Sequence, residues 1–321
     1  MAPPQIDRCP IRPHLDMASH MLGFGFASQE RQHKSVRQRR CLSTQDPVPG
    51  RTVMSAPALV LLASGSSDPG VAQVTHCMRK GIKAMRPALD VHVAFLDHCP
   101  PSGPQVVGQL ARAGVQEIVF VPLDICRAFG VDDRVEALLA KVRAAHPGLA
   151  VTASEPLGPG AQLLTLVDRQ LREALRRVHA TELDGLVLAA SSTDEVRSTA
   201  ILGRRARQWS QHHRLPCVVA QDTEGAGALV AAVNNLRAQG RRHIAVGSWH
   251  LVGDDVWQAQ AEAARALGVR AVSLPFGDQP ELLDLALARY VVAAMELVTF
   301  EEDTRPAAAT EERPRLSVVG A

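Results

Sequence analysis

"VLLASGSSDPG", residues 60–70, is the stretch on which the fold turns. An apolar run stops at Ser64, four small or hydroxylated residues follow, and Asp68-Pro69-Gly70 has the form of a helix start. In an open α/β sheet a strand that ends this way presents backbone donors and hydroxyls to a ligand beyond its carboxyl end. Asp68 is the one strongly functional side chain in the stretch.

The same stretch exposes a repeat. "VLLASGSSD" ending at Asp68 aligns with "LVLAASSTD" ending at Asp194, an offset of 126 residues. That offset also places "VHVA" (91–94) on "CVVA" (217–220), "LARAG" (110–114) on "LRAQG" (236–240), and "IVFVPLDI" (118–125) on "IAVGSWHL" (244–251). Further on, "EPLGPGAQLLTL" from Glu155 matches "LPFGDQPELLDL" from Leu274 at an offset of 119, so seven residues are missing from the second copy. The chain reads as a duplicated module.

Each copy alternates short runs rich in Val, Ile and Leu with longer amphipathic stretches, the pattern of βαβ units and a parallel sheet. Strands are expected near 58–63, 90–96, 117–122 and 149–154, then near 185–190, 216–220, 243–248 and 269–274. Helices are expected near 70–86, 102–113, 132–145 and 160–179, with a last one near 280–297. Right-handed crossovers then give an α/β fold of two doubly wound parallel-sheet modules, 54–180 and 181–298, with a ligand cleft between them. Residues 1–53, rich in Pro, Arg, Gln and Ser without periodicity, are expected to be a disordered extension, and residues 299–321 a loose tail.

Composition narrows the function. Aromatic residues make up 3% of the chain, too few for single-stranded nucleic-acid stacking platforms. The net charge is +2, and eight of the 35 basic groups against four of the 33 acidic ones lie in residues 1–53, so the remainder carries no basic footprint for nucleic acid. No apolar run reaches the length of a membrane span. Six cysteines without a C-x-x-C pair fit a reducing, cytoplasmic setting without disulfides.

Chemistry-bearing residues gather at the expected strand ends. "DHCPPSGP" (97–104) and "DICRAFGVDD" (124–133) bring Asp97, His98, Cys99, Asp124 and Cys126 to adjacent loops, and His250 follows the corresponding strand of the second copy. Asp97, His98, Cys126 and His250 offer carboxylate, imidazole and thiolate to a metal. Asp124 and Asp97 serve equally well as loop or helix caps, and the cysteines as small core residues. His212 and His213 close a helix ahead of Leu215-Pro216, where the helix dipole accounts for them.

"LLASGSSDPG" (61–70), "VHVAFLDHCPPSGPQVVGQL" (91–110), "IVFVPLDICRAFGVDDRVEALL" (118–139) and "EPLG" (155–158), with "VGSWHLVGDDVWQAQAEAARALGVRAVSLPFG" in the second copy, together resemble the type II tetrapyrrole chelatases of the CbiX/SirB, or sirohydrochlorin chelatase, family. The resemblance covers roughly residues 56–297. It implies insertion of Co²⁺ or Fe²⁺, as a substrate, into a sirohydrochlorin-type tetrapyrrole, without an organic cofactor, in cobalamin or sirohaem synthesis. It also implies a tetrapyrrole-pathway enzyme as a partner.

The family's first loop reads A-H-G-S-x-D-P, whereas this chain has Ala63-Ser64-Gly65-Ser66-Ser67-Asp68-Pro69, so Ser64 stands at the imidazole's place. A second family histidine follows an aromatic residue after the third strand, and here Phe129 is followed by Gly130. At the 126-residue offset Ser64 falls opposite Ala190, which supplies no replacement. On this likeness Ser64, Gly65, Ser66, Ser67, Arg127, Phe129 and Gly130 would bind substrate, with Arg134 a further cation for its carboxylates. Asp97 and His98 would act as base and metal ligand. Three readings stay open: a chelatase-like enzyme, a non-catalytic relative that binds the tetrapyrrole or the metal, and a different small-molecule binder on the same two-module scaffold.

Overall fold

Apolar strands covered on both faces are what a parallel sheet demands, and β1 (Ala58–Ala63), buried along its whole length, is the first of eight among the described residues. The computed structural model describes residues 56–66 and 68–304. The expected extension 1–53, Ser67 and residues 305–321 lie outside them. After β1 come α1 (Pro69–Met85), β2 (Val91–Phe95), α2 (Gly103–Arg112), β3 (Glu117–Pro122), α3 (Asp133–Ala145), β4 (Ala150–Ala153) and α4 (Leu163–Arg177). The second copy contains β5 (Gly185–Ser191), α5 (Val196–His213), β6 (Cys217–Asp222), α6 (Gly227–Ala238), β7 (Ile244–Trp249), α7 (Asp255–Ala266), β8 (Ala271–Val272) and α8 (Pro280–Thr304).

Both sheets are parallel, in the orders β2-β1-β3-β4 and β6-β5-β7-β8. The strand order reverses between β1 and β3, and again between β5 and β7, so each module has one switch point. Several expected boundaries change; α4 starts at Leu163 rather than near 160, and β6 runs to Asp222. The strand expected at 269–274 shrinks to β8, because its ladder with β7 meets Pro275, which has no N–H to donate. The last helix runs to Thr304, into the stretch expected to be tail.

Ladder register corrects the repeat. Leu62 lies opposite Pro122 in the first sheet and Ala189 opposite Ser248 in the second, so β5 is offset from β1 by 127 residues while β7 is offset from β3 by 126. The counterpart of Ser64 is therefore Ser191, not Ala190. The caps agree, since Asp68 precedes α1 and Glu195 precedes α5.

The closing helices are exchanged. α4, which ends the first module, packs on β7 and β8, whereas α8, which ends the second, packs on α1, β3 and β4. One apolar cluster therefore joins both sheets, from Leu59 and Val121 through Leu163 and Val167 to Leu188, Trp249 and Leu282. Two smaller clusters fill the outer faces, one under α2 and α3 and one under α6 and α7. At Gly247 the approach is so close that a Cβ would stand 2.5 Å from the Trp209 ring and 2.7 Å from Val167. None of the four cysteines among the described residues is in a disulfide, and no helix among those residues is long and apolar enough to cross a membrane.

Candidate functional site

The site forms where β1 and β3 end at the first switch point. Ser64 follows β1, Leu123 and Asp124 follow β3, and with Arg127, Asp132, Arg134 and Pro156 they line a cleft of about 30 Å³. That volume holds one water-sized or carboxylate-sized group and excludes a macrocycle, which must lie across the mouth.

The floor is built from interlocked loops. Gly65 is left-handed, with φ +81°, and a Cβ there would lie 1.9 Å from the Asp97 carbonyl oxygen, so only glycine lets the loop after β1 pass the loop after β2. The Asp97 N–H donates to the Ser64 carbonyl at 3.0 Å, and the Cys99 thiol donates to the Ser66 carbonyl at 3.0 Å. Asp68 caps α1, accepting from the Gly70 N–H at 2.7 Å, and its other oxygen accepts from Gln258 of α7 at 3.1 Å. Ser66 Oγ accepts from the Asp68 N–H at 3.0 Å.

Cationic groups face this floor. Arg134 donates to Asp97 Oδ2 at 2.8 Å and to Asp132 Oδ1 at 3.1 Å, and the hydrogen bond from Asp132 raises its guanidinium further above the ordinary range while Asp132 is lowered in turn. Asp124 shapes the loop after β3 by accepting from the N–H groups of Cys126 at 2.8 Å and Arg127 at 2.9 Å. The Arg127 Nε is buried, with no hydrogen-bond partner, and sits 3.9 Å from Asp124 Oδ2. A guanidinium that lines a carboxylate-sized cleft and keeps a donor without a hydrogen bond is an anion-binding feature.

The second module pins this loop from outside. The Ala128 N–H donates to Ser198 Oγ at 2.7 Å and reaches Glu195 Oε2 at 3.4 Å, and Ser198 in turn donates to Glu195, which lowers that carboxyl. Gly130, with φ +62°, donates to Glu155 Oε2 at 2.8 Å. Phe129 is 55% exposed and Val196, at the start of α5, is 81% exposed. Two large apolar side chains in water, one in the loop after β3 and one at the start of the helix that pins that loop, suit the face of a flat ligand. Sequence reasoning missed Val196, Ser198 and Glu195, because nothing local ties them to a loop seventy residues earlier.

The four expected metal ligands do not converge. Among the described residues, the set of three ligand-type side chains with donor atoms within 4.8 Å of one another is Asp168, His212 and His213, and none of Asp97, His98, Cys126 or His250 belongs to it. Asp97 and His98 are exposed neighbours, with His98 left-handed at φ +59°. Cys126 packs against the apolar core, and burial, with the charges of Asp124 and Asp254 adding to it, pushes its thiol well above the ordinary range, so it stays protonated. His250, only 3% exposed, sits in a closed network rather than on a pocket wall. Its Nε2 meets Gln260 Oε1 at 2.8 Å, its Nδ1 faces Ser191 Oγ at 3.4 Å, and Gln260 donates to Asp222 at 2.9 Å and to the Ala190 carbonyl at 3.2 Å. The second module thus seals its strand-end polar groups, while the first leaves them open.

Burial lowers the His250 imidazole below its usual pKa, and the opposing charges of Asp254 and Asp222 do not restore it. The unfolded chain takes up a proton near pH 6.5 that the folded one resists, so this contribution to stability is complete above that pH and fades as the pH drops toward the folded value. Wild type should lose up to about 1.4 kcal/mol per pH unit from this group on acidification. Urea unfolding from pH 7.5 to 5 should show a shallower pH slope for His250→Asn, and equal slopes would contradict the assignment.

The loop after β3 is also where the copies differ in length. The caps Asp132 and Asp254 are 122 residues apart, against 126 for the strands before them, so four of the seven missing residues come from the loop that bears Arg127, Phe129 and Gly130 in the first module.

Residues 58–174 match the family model described as CbiX. Of solved structures, SirB from Bacillus subtilis with Fe³⁺ is similar at a TM-score of 0.61 and 14% identity, over 78% of this chain and 98% of that one. SirB from Bacillus subtilis subspecies spizizenii in complex with cobalt gives 0.59 and 15%, over the same shares of the two chains. Identities this low establish the shared fold. No curated protein matches the sequence.

Proposed function

We propose, from the match of residues 58–174 to the CbiX family model, that the chain is a sirohydrochlorin chelatase-like protein that holds a carboxylate-bearing tetrapyrrole across the strand ends of this module. One observation carries the reading: a carboxylate-sized cleft at the switch point lined by Arg127 and Arg134, with no hydrogen-bond partner for the buried Arg127 Nε. A peripheral carboxylate of the macrocycle would enter there, between Arg127 and Arg134, and the ring would lie against Phe129 and Val196. Ser64, Gly65 and Ser66 would meet its edge. The relatives solved with Fe³⁺ and with cobalt support a metal as the second substrate, here Co²⁺ or Fe²⁺.

Insertion requires removal of two pyrrole protons and delivery of the metal along the same face. Asp97 and His98 would do this. Arg134 holds Asp97 Oδ2, which leaves Oδ1 to accept a metal or a proton, and His98 supplies an imidazole at the next position. The second reading, a carrier that binds without inserting, has its own support: Ser64 and Gly130 stand at the family's imidazole positions, and Asp97 and His98 gain no third ligand among the described residues.

Anaerobic titration of the full-length protein with sirohydrochlorin, followed by absorbance, tests binding. Arg127→Ala should weaken it by about 10- to 100-fold, the worth of a charge-assisted hydrogen bond. No absorbance change with the wild type would end the tetrapyrrole reading. Addition of Co²⁺ or Fe²⁺ then separates the alternatives, since insertion lost in Asp97→Ala and His98→Ala marks an enzyme and binding without insertion marks a carrier.

A further inference from the structure

A second set of metal-ligating side chains lies away from the cleft. Asp168 on α4 and His212 and His213 in the last turn of α5 bring one carboxylate oxygen and two imidazole nitrogens within 4.8 Å of one another. α5 starts at the strand-end pole, and its 18 residues carry its far end about 27 Å toward the opposite pole. This cluster is therefore separate from Asp97 and His98, and it does not depend on the tetrapyrrole reading.

We infer that Asp168, His212 and His213 form a binding site for a first-row divalent transition-metal ion of the Co²⁺, Ni²⁺ or Zn²⁺ type. Two imidazoles with one carboxylate form a donor set that these ions prefer and that Mg²⁺ and Ca²⁺ do not. His213 Nε2 lies 2.6 Å from Asp168 Oδ1. Ligand atoms around such an ion, at bonds of about 2.0–2.1 Å, stand about 3.0–3.4 Å apart. The observed spacing, from 2.6 Å to at most 4.8 Å, brackets that range, so side-chain torsions alone close the site.

The surroundings orient the ligands. Arg172 holds Asp168 Oδ2 at 2.7 Å, one turn along α4, which leaves Oδ1 for the imidazoles and fixes the plane of the carboxylate. The ring of His213 packs edge-on to Trp209, with centroids 5.8 Å apart, and to His212 at 4.8 Å. A helix C-terminus, with its outward carbonyls, adds negative potential for a cation. Because His212 is exposed, the remaining coordination positions face water, as in an exchangeable site rather than a closed structural one. A metal on His213 Nε2 replaces that nitrogen's contact with Asp168, and the neutral imidazole then carries its proton on Nδ1. α4 belongs to the first module and α5 to the second, so the ion joins the two.

The test is a Co²⁺ titration of the full-length protein at pH 7.5, read by visible d–d absorption and by tryptophan emission. One equivalent should bind, with quenching of buried Trp209 beside His213. His212→Ala, and His212→Gln as a variant closer in size, should weaken this equivalent on the order of 100-fold and abolish the quenching, with circular dichroism showing the fold intact. Asp168→Asn should do the same, while Asp97→Ala and His98→Ala should leave the equivalent in place. Equal Co²⁺ affinity in wild type and the His212 variants, or binding lost only in the Asp97 and His98 variants, would overturn the proposal and leave Asp168–His213 as an ion pair between helices.

Discussion

Replacing Trp249 by alanine should lower the stability of the protein by about 3–5 kcal/mol, the range for deleting a buried aromatic side chain. Trp249 is fully enclosed at the end of β7, packs edge-on against Phe276, and donates its Nε1–H to the Ile125 carbonyl of the first module at 3.0 Å. Alanine leaves both a cavity and a buried carbonyl without its donor. Against a total on the order of 5–15 kcal/mol this is a large share. Trp249→Phe keeps much of the packing and should cost about 1–2 kcal/mol. Urea unfolding of the three proteins by far-UV circular dichroism measures both differences. Because one core runs through both modules, the unfolding should stay a single transition. A cost below 1 kcal/mol for Trp249→Ala would mean that the modules are not joined through this contact.

Gly65→Ala should have the largest effect on ligand binding. The new methyl would meet the Asp97 carbonyl oxygen, a backbone atom that cannot swing aside, so one of the two loops must shift. Left-handed backbone adds strain, and the fold should lose on the order of 1–3 kcal/mol. Displacing the Ser64–Ser66 segment should weaken sirohydrochlorin binding by roughly tenfold or more, equivalent to at least about 1.4 kcal/mol. Gly114→Ala is the control, since Gly114 is also left-handed but has nothing within 4 Å of the new Cβ. It should show only the backbone cost. If Gly65→Ala binds the tetrapyrrole as the wild type does, the cleft after β1 is not the binding site.

The sequence reveals the strands of the first module to within a residue, because a parallel strand buried on both faces leaves an uninterrupted apolar run. It also reveals the duplication, but not its exact register. Ser66-Ser67-Asp68 and Ser192-Thr193-Asp194 match so well that they hide the extra residue in β5, and only hydrogen-bond pairing shows Ser191 as the partner of Ser64. His250 shows the limit for sites. Its place at a strand end is legible, but its burial depends on Gln260, Asp222 and Ser191 closing around it, and these come from three other segments. Periodicity gave each closing helix an apolar face without saying which sheet would receive it. Arg127 was legible as a cation in the right loop, whereas the unpartnered state of its Nε follows from packing alone.

The exchanged helices carry one more consequence, for the order of the chain itself. Tyr290, midway along α8, donates its hydroxyl to the Pro57 carbonyl at 2.7 Å, so the last helix lies against the start of the first strand. From Tyr290 to Thr304 α8 rises about 21 Å, a span that a flexible Gly/Ser linker of roughly 20 residues covers. The connection between α4 and β5 is open to solvent at Val178, His179, Thr181 and Glu182. A circular permutant cut there and joined from α8 to β1 would present the second module first while keeping every sheet ladder and both helix exchanges. Which module leads is thus a choice of the gene that the folded protein does not register.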